Sequence, residues 1–222
     1  MSVINILRKD WISYRKTMVW ALVYLLLFVF CFRSMSGIQG SYIMTITLAV
    51  YIVSVGSIQN DEKNRVDCLL GILPLKRADV VIAKFLLSNA FWLAGLAVYT
   101  VLGGANQLFF PRAVLFEIPA FGSAAGAFLS VSFLNMLGIP LSYKFGSNRG
   151  RMITSLLGVM IFGGVLAGVF ATGMVFESGI HAGQVNVSLQ SFPVGLLMMG
   201  VGLVFQLIGL AAALRVYGRK EL

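Results

Sequence analysis

The sequence predicts an all-α polytopic membrane protein. Six transmembrane helices are expected, with both termini cytoplasmic, an N-terminal amphipathic interfacial helix, and a short cytoplasmic helix after the second span. Three observations predict this. The 222 residues are 59% hydrophobic and only 11% charged, with mean hydropathy +0.90, against about 25% charged residues in soluble domains. The charges are clustered, leaving long uncharged runs close to the roughly 17–25 apolar residues that cross a hydrocarbon core about 30 Å thick. Lys and Arg also concentrate in alternate connections, as the positive-inside rule requires of a multi-span chain. Nothing divides the sequence, and 1–222 reads as a single transmembrane domain.

Residues 1–16 place Val3, Ile4, Leu7, Trp11 and Tyr14 on one arc of a helix, with Asn5, Lys9, Ser13 and Lys16 opposite. Ile6 and Ile12 break the pattern. Basic residues beside Trp and aliphatics suit a helix lying in the membrane interface, either as a passive anchor or as an elbow into the first span. The stretch lacks the small-residue cleavage site of a signal peptide. The uncharged runs follow at 17–32, 41–59, 85–108, 118–142, 152–176 and 192–214. The first is short, but Lys16 and Arg33 can snorkel to the two interfaces and Trp20 can sit near one of them.

Orientation follows from the basic residues. Arg8, Lys9, Arg15 and Lys16 precede the first run; Lys63, Arg65, Lys76, Arg77 and Lys84 follow the second. Lys144, Arg149 and Arg151 follow the fourth, and Arg215, Arg219 and Lys220 follow the last. Of the 17 Lys and Arg residues, only Arg33 and Arg112 fall on the opposite side. The first set is therefore cytoplasmic, and the net charge of +9 is a topology signal, with no nucleic-acid partner implied. This topology puts Cys31 near the outer face and Cys68 inside, so the two cannot pair within one chain. His181, with Glu177 near it, reads as solvated outer surface.

The second connection, 60–84, has internal order. Asp61 and Glu62 sit where a helix N-terminus favours negative charge. Val66, Leu69, Leu70 and Leu73 follow at i, i+3, i+4 and i+7, one apolar stripe on a short helix. Asp61–Arg65 and Lys63–Asp67 are i,i+4 pairs on its wet side. Pro74 ends it, since the residue before a proline is pushed out of helical geometry. Lys76, Arg77 and Asp79 open a second helix running through Val80 and Lys84 into the third span. Two readings fit the stripe: it rests on the membrane or on the protein's own helices, or it docks in the groove of a cytoplasmic partner.

Several chemistries are excluded. A phosphate-binding loop needs a Gly-Lys pair, and none occurs in the sequence. One His allows no H-E-x-x-H site, and His181 has no nucleophile elbow near it. The runs carry none of the ionisable groups used by proton relays. Their polar residues, Asn89, Asn106, Asn135, Gln206, Thr45, Thr47, Ser130, Ser132 and Thr154, are expected mainly to bond between helices. Gly122–Gly126 and Gly164–Gly168 are G-x-x-x-G pairs suited to close helix approach, within the chain or between two copies. Pro119 and Pro140 bracket the fourth run, where kinks are expected.

Three stretches carry a family resemblance. They are Asp61-Glu62-Lys63-Asn64-Arg65 with Leu69-Leu70 and the Leu73-Pro74-Leu75-Lys76-Arg77 turn; Ile139-Pro140-Leu141-Ser142-Tyr143-Lys144-Phe145-Gly146 with Gly150-Arg151; and Tyr217 with Arg219-Lys220-Glu221-Leu222. Together with the span plan they resemble the permease subunits of bacterial ATP-binding-cassette (ABC) exporters of the type-2 permease class. The small six-span subunits of lantibiotic-immunity, bacitracin-resistance and peptide-toxin export systems are similar. The resemblance implies that 60–84 holds the coupling helix, which inserts into a cytoplasmic ABC ATPase. The residues it implicates are Asp61, Glu62, Arg65, Val66, Leu69, Leu70, Leu73 and Pro74. It further implies a non-catalytic subunit in the bacterial cytoplasmic membrane, paired with a second permease copy or homologous permease. ATP and Mg would be bound by the ATPase and no cofactor by this chain. The expected cargo is amphipathic or hydrophobic, a peptide or a drug. The alternative is a membrane-bound immunity or sensor protein that binds a ligand or partner and moves nothing; a secondary carrier is a third reading.

Overall fold

The computed structural model describes residues 41–58, 61, 77–109, 118–145 and 192–218, with isolated helical positions at Val23, Leu27 and Leu156. Among the described residues every regular element is an α-helix, and four are long and apolar enough to cross a membrane. We label them α1 (Ser41–Ile58), α2 (Arg77–Phe109), α3 (Phe121–Phe145) and α4 (Phe192–Gly218). They coincide with the expected second, third, fourth and sixth spans. Apart from the three isolated positions, the expected spans at 17–32 and 152–176 lie outside the described residues, as do the interfacial helix at 1–16 and Thr154. Gly164–Gly168 lies outside them too.

Helix boundaries differ from the uncharged runs for a physical reason: backbone helices continue past the hydrocarbon into the charged interface. α2 is described from Arg77, with Asp79 in its first turn where the helix dipole favours an acid; the expected second helix is present, and Lys76 lies outside the described residues. α3 carries Lys144 and α4 carries Arg215, the latter in its last turn where a cation is favoured. α3 also runs through Pro140 instead of ending at it. Proline inside a transmembrane helix is tolerated when neighbours and local adjustments satisfy the freed carbonyl. Pro119 sits just before α3, where Ala124 N–H donates to Ala120 O at 3.0 Å in the first turn.

Contacts down the helices fix their directions. Tyr42 of α1 meets Tyr99 of α2 edge to face at 4.8 Å, while Asp61, just past α1, pairs with Lys84 near the start of α2. These two helices are antiparallel. Asn135 to Ser88 and Phe128 to Trp92 show α3 antiparallel to α2 as well. α4 runs parallel to α3, with ring pairs Phe121–Phe192 at 5.0 Å, Phe133–Phe205 at 5.5 Å and Tyr143–Tyr217 at 4.8 Å in nearly constant register. Phe145 and Phe192 therefore lie at opposite ends of the bundle.

The α3–α4 seam is built on glycine. Gly195, Gly202 and Gly209 recur every seven residues and are buried, facing Gly122, Leu129 and Met136 of α3 at the same spacing. A Cβ on Gly209 would lie 2.7 Å from the Met136 Cα, a backbone atom that cannot swing aside. Gly126 turns to α1 instead, where a Cβ would meet Ile43 at 3.3 Å. The Gly122–Gly126 pair thus packs two different helices within one chain.

Burial separates the helices. The α1 span is 67% buried and the α4 span 22%. α4 leaves Leu197, Leu203 and Leu207 exposed, an apolar face suited to lipid. Two clusters fill the bundle. One joins Tyr42, Ile46, Val50, Trp92, Tyr99, Phe128 and Val131. The other gathers Ile58, Val80, Val81, Phe85, Ile139, Tyr143, Ala213 and Tyr217 at the end that also holds Arg77, Lys84, Lys144 and Arg215.

Candidate coupling site and polar interior

The basic end of the bundle is where the 60–84 connection leaves and re-enters it. Of the expected partner-binding residues, Asp61 is described and is helical. Glu62, Arg65, Val66, Leu69, Leu70, Leu73 and Pro74 lie outside the described residues. Lys84 Nζ donates to Asp61 Oδ2 at 2.5 Å, with side-chain exposures of 3% for Lys84 and 13% for Asp61. The sequence places Asp61 at a helix N-terminus and in an i,i+4 pair with Arg65, and places Lys84 on the next helix as a topology charge; local spacing does not disclose their pairing. The available signal is that one residue follows the described part of α1 and the other lies early in α2, on either side of one connection.

Deeper in the bundle lies a side-chain amide network. Asn89 Nδ2 donates to Gln206 Oε1 at 2.9 Å, and Gln206 Nε2 returns a bond to Asn89 Oδ1 at 2.6 Å. Gln206 Nε2 also reaches Ser132 Oγ at 3.2 Å, and Asn135 Nδ2 donates to Ser88 Oγ. Three helices are joined by groups that would otherwise face hydrocarbon unpaired. Asn89, Asn135, Gln206 and Ser132 thus bond between helices, as expected. Thr47 and Ser130 correct that expectation, because their hydroxyls bond their own helix at Ile43 O and Gly126 O. A short hydroxyl reaches the carbonyl four residues back more readily than a neighbouring helix. Thr45 donates to Ser41 O at 2.6 Å and also contacts the Tyr99 hydroxyl of α2, so it bonds between helices as expected. Asn106 is buried near the far end of α2.

The amide pair yields a measurable expectation. Asn89→Leu should lower bundle stability by about 1–2 kcal/mol, because Gln206 then loses its reciprocal partner. Asn89→Leu with Gln206→Leu should cost less than the sum of the single changes. Thermal unfolding of the detergent-solubilised protein checks both, and strict additivity would show the pair to be uncoupled.

Among the described residues, Tyr42 Oη, Ser54 Oγ and Trp92 Nε1 of α1 and α2 are buried with no hydrogen-bond partner. Among the described residues, no group of His, Cys, Asp and Glu could hold a metal. Away from the Asp61–Lys84 pair, the buried polar groups described in the bundle are neutral donors and acceptors.

Comparison with known families decides the class. A family model described as ABC-2 family transporter protein matches residues 5–217. The chain belongs to that family. It is an ABC-2 permease, a transmembrane component of ABC transporters, and permeases of this family are typically non-catalytic and associate with an ABC ATPase. No curated protein and no solved structure matches the chain. The match takes in nearly all of the described bundle, including the residues of the Asp61–Lys84 pair and of the amide network.

Proposed function

We propose that this ABC-2 permease is one half of an exporter's path, moving an amphipathic or hydrophobic cargo, a peptide or a drug, out of a bacterial cell. A separate cytoplasmic ATPase binds ATP and Mg and drives the cycle, and a second permease copy or homologue completes the path. The observation that carries this reading is the family match across 5–217 joined to a described bundle of apolar helices. Six spans with cytoplasmic termini are supported by two features. Phe145 and Phe192 lie at opposite ends of parallel helices, so one crossing is needed between them, and the run at 152–176 can supply it. Arg77, Lys84, Lys144 and Arg215 all cluster at one end, the cytoplasmic one by charge bias.

Coupling is assigned to the 60–84 connection, with Val66, Leu69, Leu70 and Leu73 as the stripe that enters the ATPase, Asp61 and Glu62 at its N-terminus, Arg65 on its wet flank, and Pro74 setting its end. The uncharged spans favour amphipathic cargo over an ion, since ion paths normally hold intramembrane charge. The test is affinity purification of the tagged chain from native membranes. A cytoplasmic ABC ATPase should co-purify and the preparation should hydrolyse ATP. Its consistent absence would favour the non-transporting immunity or sensor reading.

A further inference from the structure

The geometry points to the Asp61–Lys84 pair as a positioning element that passes movement of the 60–84 connection into the helix bundle. This rests on the proposed docking of the ATPase on that connection. Asp61 lies three residues beyond Ile58, the end of α1, and Lys84 lies in the second turn of α2. Their contact therefore closes the connection at its base, holding its two ends together across a sequence separation of 23.

Stability alone is a weak reason for such a pair. Two charges removed from water recover little against apolar residues of similar volume, whereas losing one partner leaves an uncompensated buried charge. What the pair does supply is a fixed register between the connection and the bundle. Its surroundings make that register consequential. Ile58 of α1, Val80 and Phe85 of α2, Tyr143 of α3 and Tyr217 of α4 share one packed cluster at this end. Densely packed interiors transmit displacement instead of absorbing it, so a tug on the pair reaches all four described helices. Asp61 is directed to Lys84 and largely withdrawn from solvent, which assigns it to transmission and leaves the apolar stripe to grip the ATPase.

The test uses the full permease–ATPase complex in nanodiscs, with Asp61→Asn, Lys84→Met and the exchange Asp61→Lys with Lys84→Asp. Co-purification, thermal stability and permease-stimulated ATP hydrolysis are measured for each. Both single variants should keep the ATPase at wild-type stoichiometry and lose roughly tenfold in stimulated hydrolysis, and the exchange should restore most of it. Leu69→Asp is run alongside to separate this inference from the docking reading. Wild-type hydrolysis in Asp61→Asn and Lys84→Met, with the ATPase lost in Leu69→Asp, overturns the pair's role and leaves docking intact. Loss of the ATPase in the two single variants, or an exchange variant as stable as wild type yet no more active than they are, also overturns it.

Discussion

Leu69→Asp should leave the permease in the membrane and strip it of its ATPase. The stripe Val66, Leu69, Leu70 and Leu73 presents one apolar face at helical spacing, outside the uncharged runs that enter lipid. A carboxylate placed in an apolar groove gains no partner, and burying a polar group without one costs about 2–7 kcal/mol on transfer scales. At roughly 1.4 kcal/mol per tenfold in affinity, even the low end removes most of the complex. Arg65→Ala should cost far less, since it places no charge on the apolar stripe, Asp61 is already held by Lys84, and an i,i+4 pair on a helix is worth only about 0.3–0.5 kcal/mol. Both variants are expressed with the ATPase at equal membrane levels and assayed for co-purification and ATP hydrolysis. Normal binding and hydrolysis in Leu69→Asp would make the stripe a surface anchor.

Gly209→Leu should cost the bundle about 3 kcal/mol, the upper part of the range for overpacking. The Cβ alone would lie 2.7 Å from the Met136 Cα and 3.4 Å from its backbone nitrogen. Relief therefore requires α3 and α4 to separate, loosening the Phe133–Phe205 and Tyr143–Tyr217 contacts on either side. Gly200→Leu on the same helix is the control, because nothing lies within 4 Å of a Cβ there. It should be near neutral and even favour the helix, Gly being about 1 kcal/mol worse than Ala in helix interiors. Thermal unfolding in one detergent compares the two; equal midpoints would contradict the close α3–α4 seam.

The sequence discloses the spans better than their packing. Charged clusters mark where lipid ends, so α1 to α4 fall on four of the expected runs, and Asp79 correctly signals the opening of α2. The α4 seam was less visible. A search for glycines four apart finds Gly122–Gly126, whereas Gly195, Gly202 and Gly209 repeat at seven, the period that keeps one face turned to a parallel neighbour. Hydropathy already separates the buried α1 from the more apolar, exposed α4, and polar content shows why. Ser41, Thr45, Ser54 and Ser57 on α1 are all buried, and such groups avoid lipid. The Asp61–Lys84 pair escapes local rules altogether. Helical spacing pairs Asp61 with Arg65, and the antiparallel packing of α1 on α2 brings Lys84 to it.

The central claim is that the chain provides a path that a separate ATPase drives. It is tested most directly by uptake of a dye-labelled amphipathic peptide into inside-out proteoliposomes. Reconstituted with its ATPase, the chain should accumulate the peptide only when ATP is present. Alone, it should neither hydrolyse ATP nor accumulate peptide under a proton gradient. Accumulation by the ATPase-free chain under that gradient would instead identify a secondary carrier.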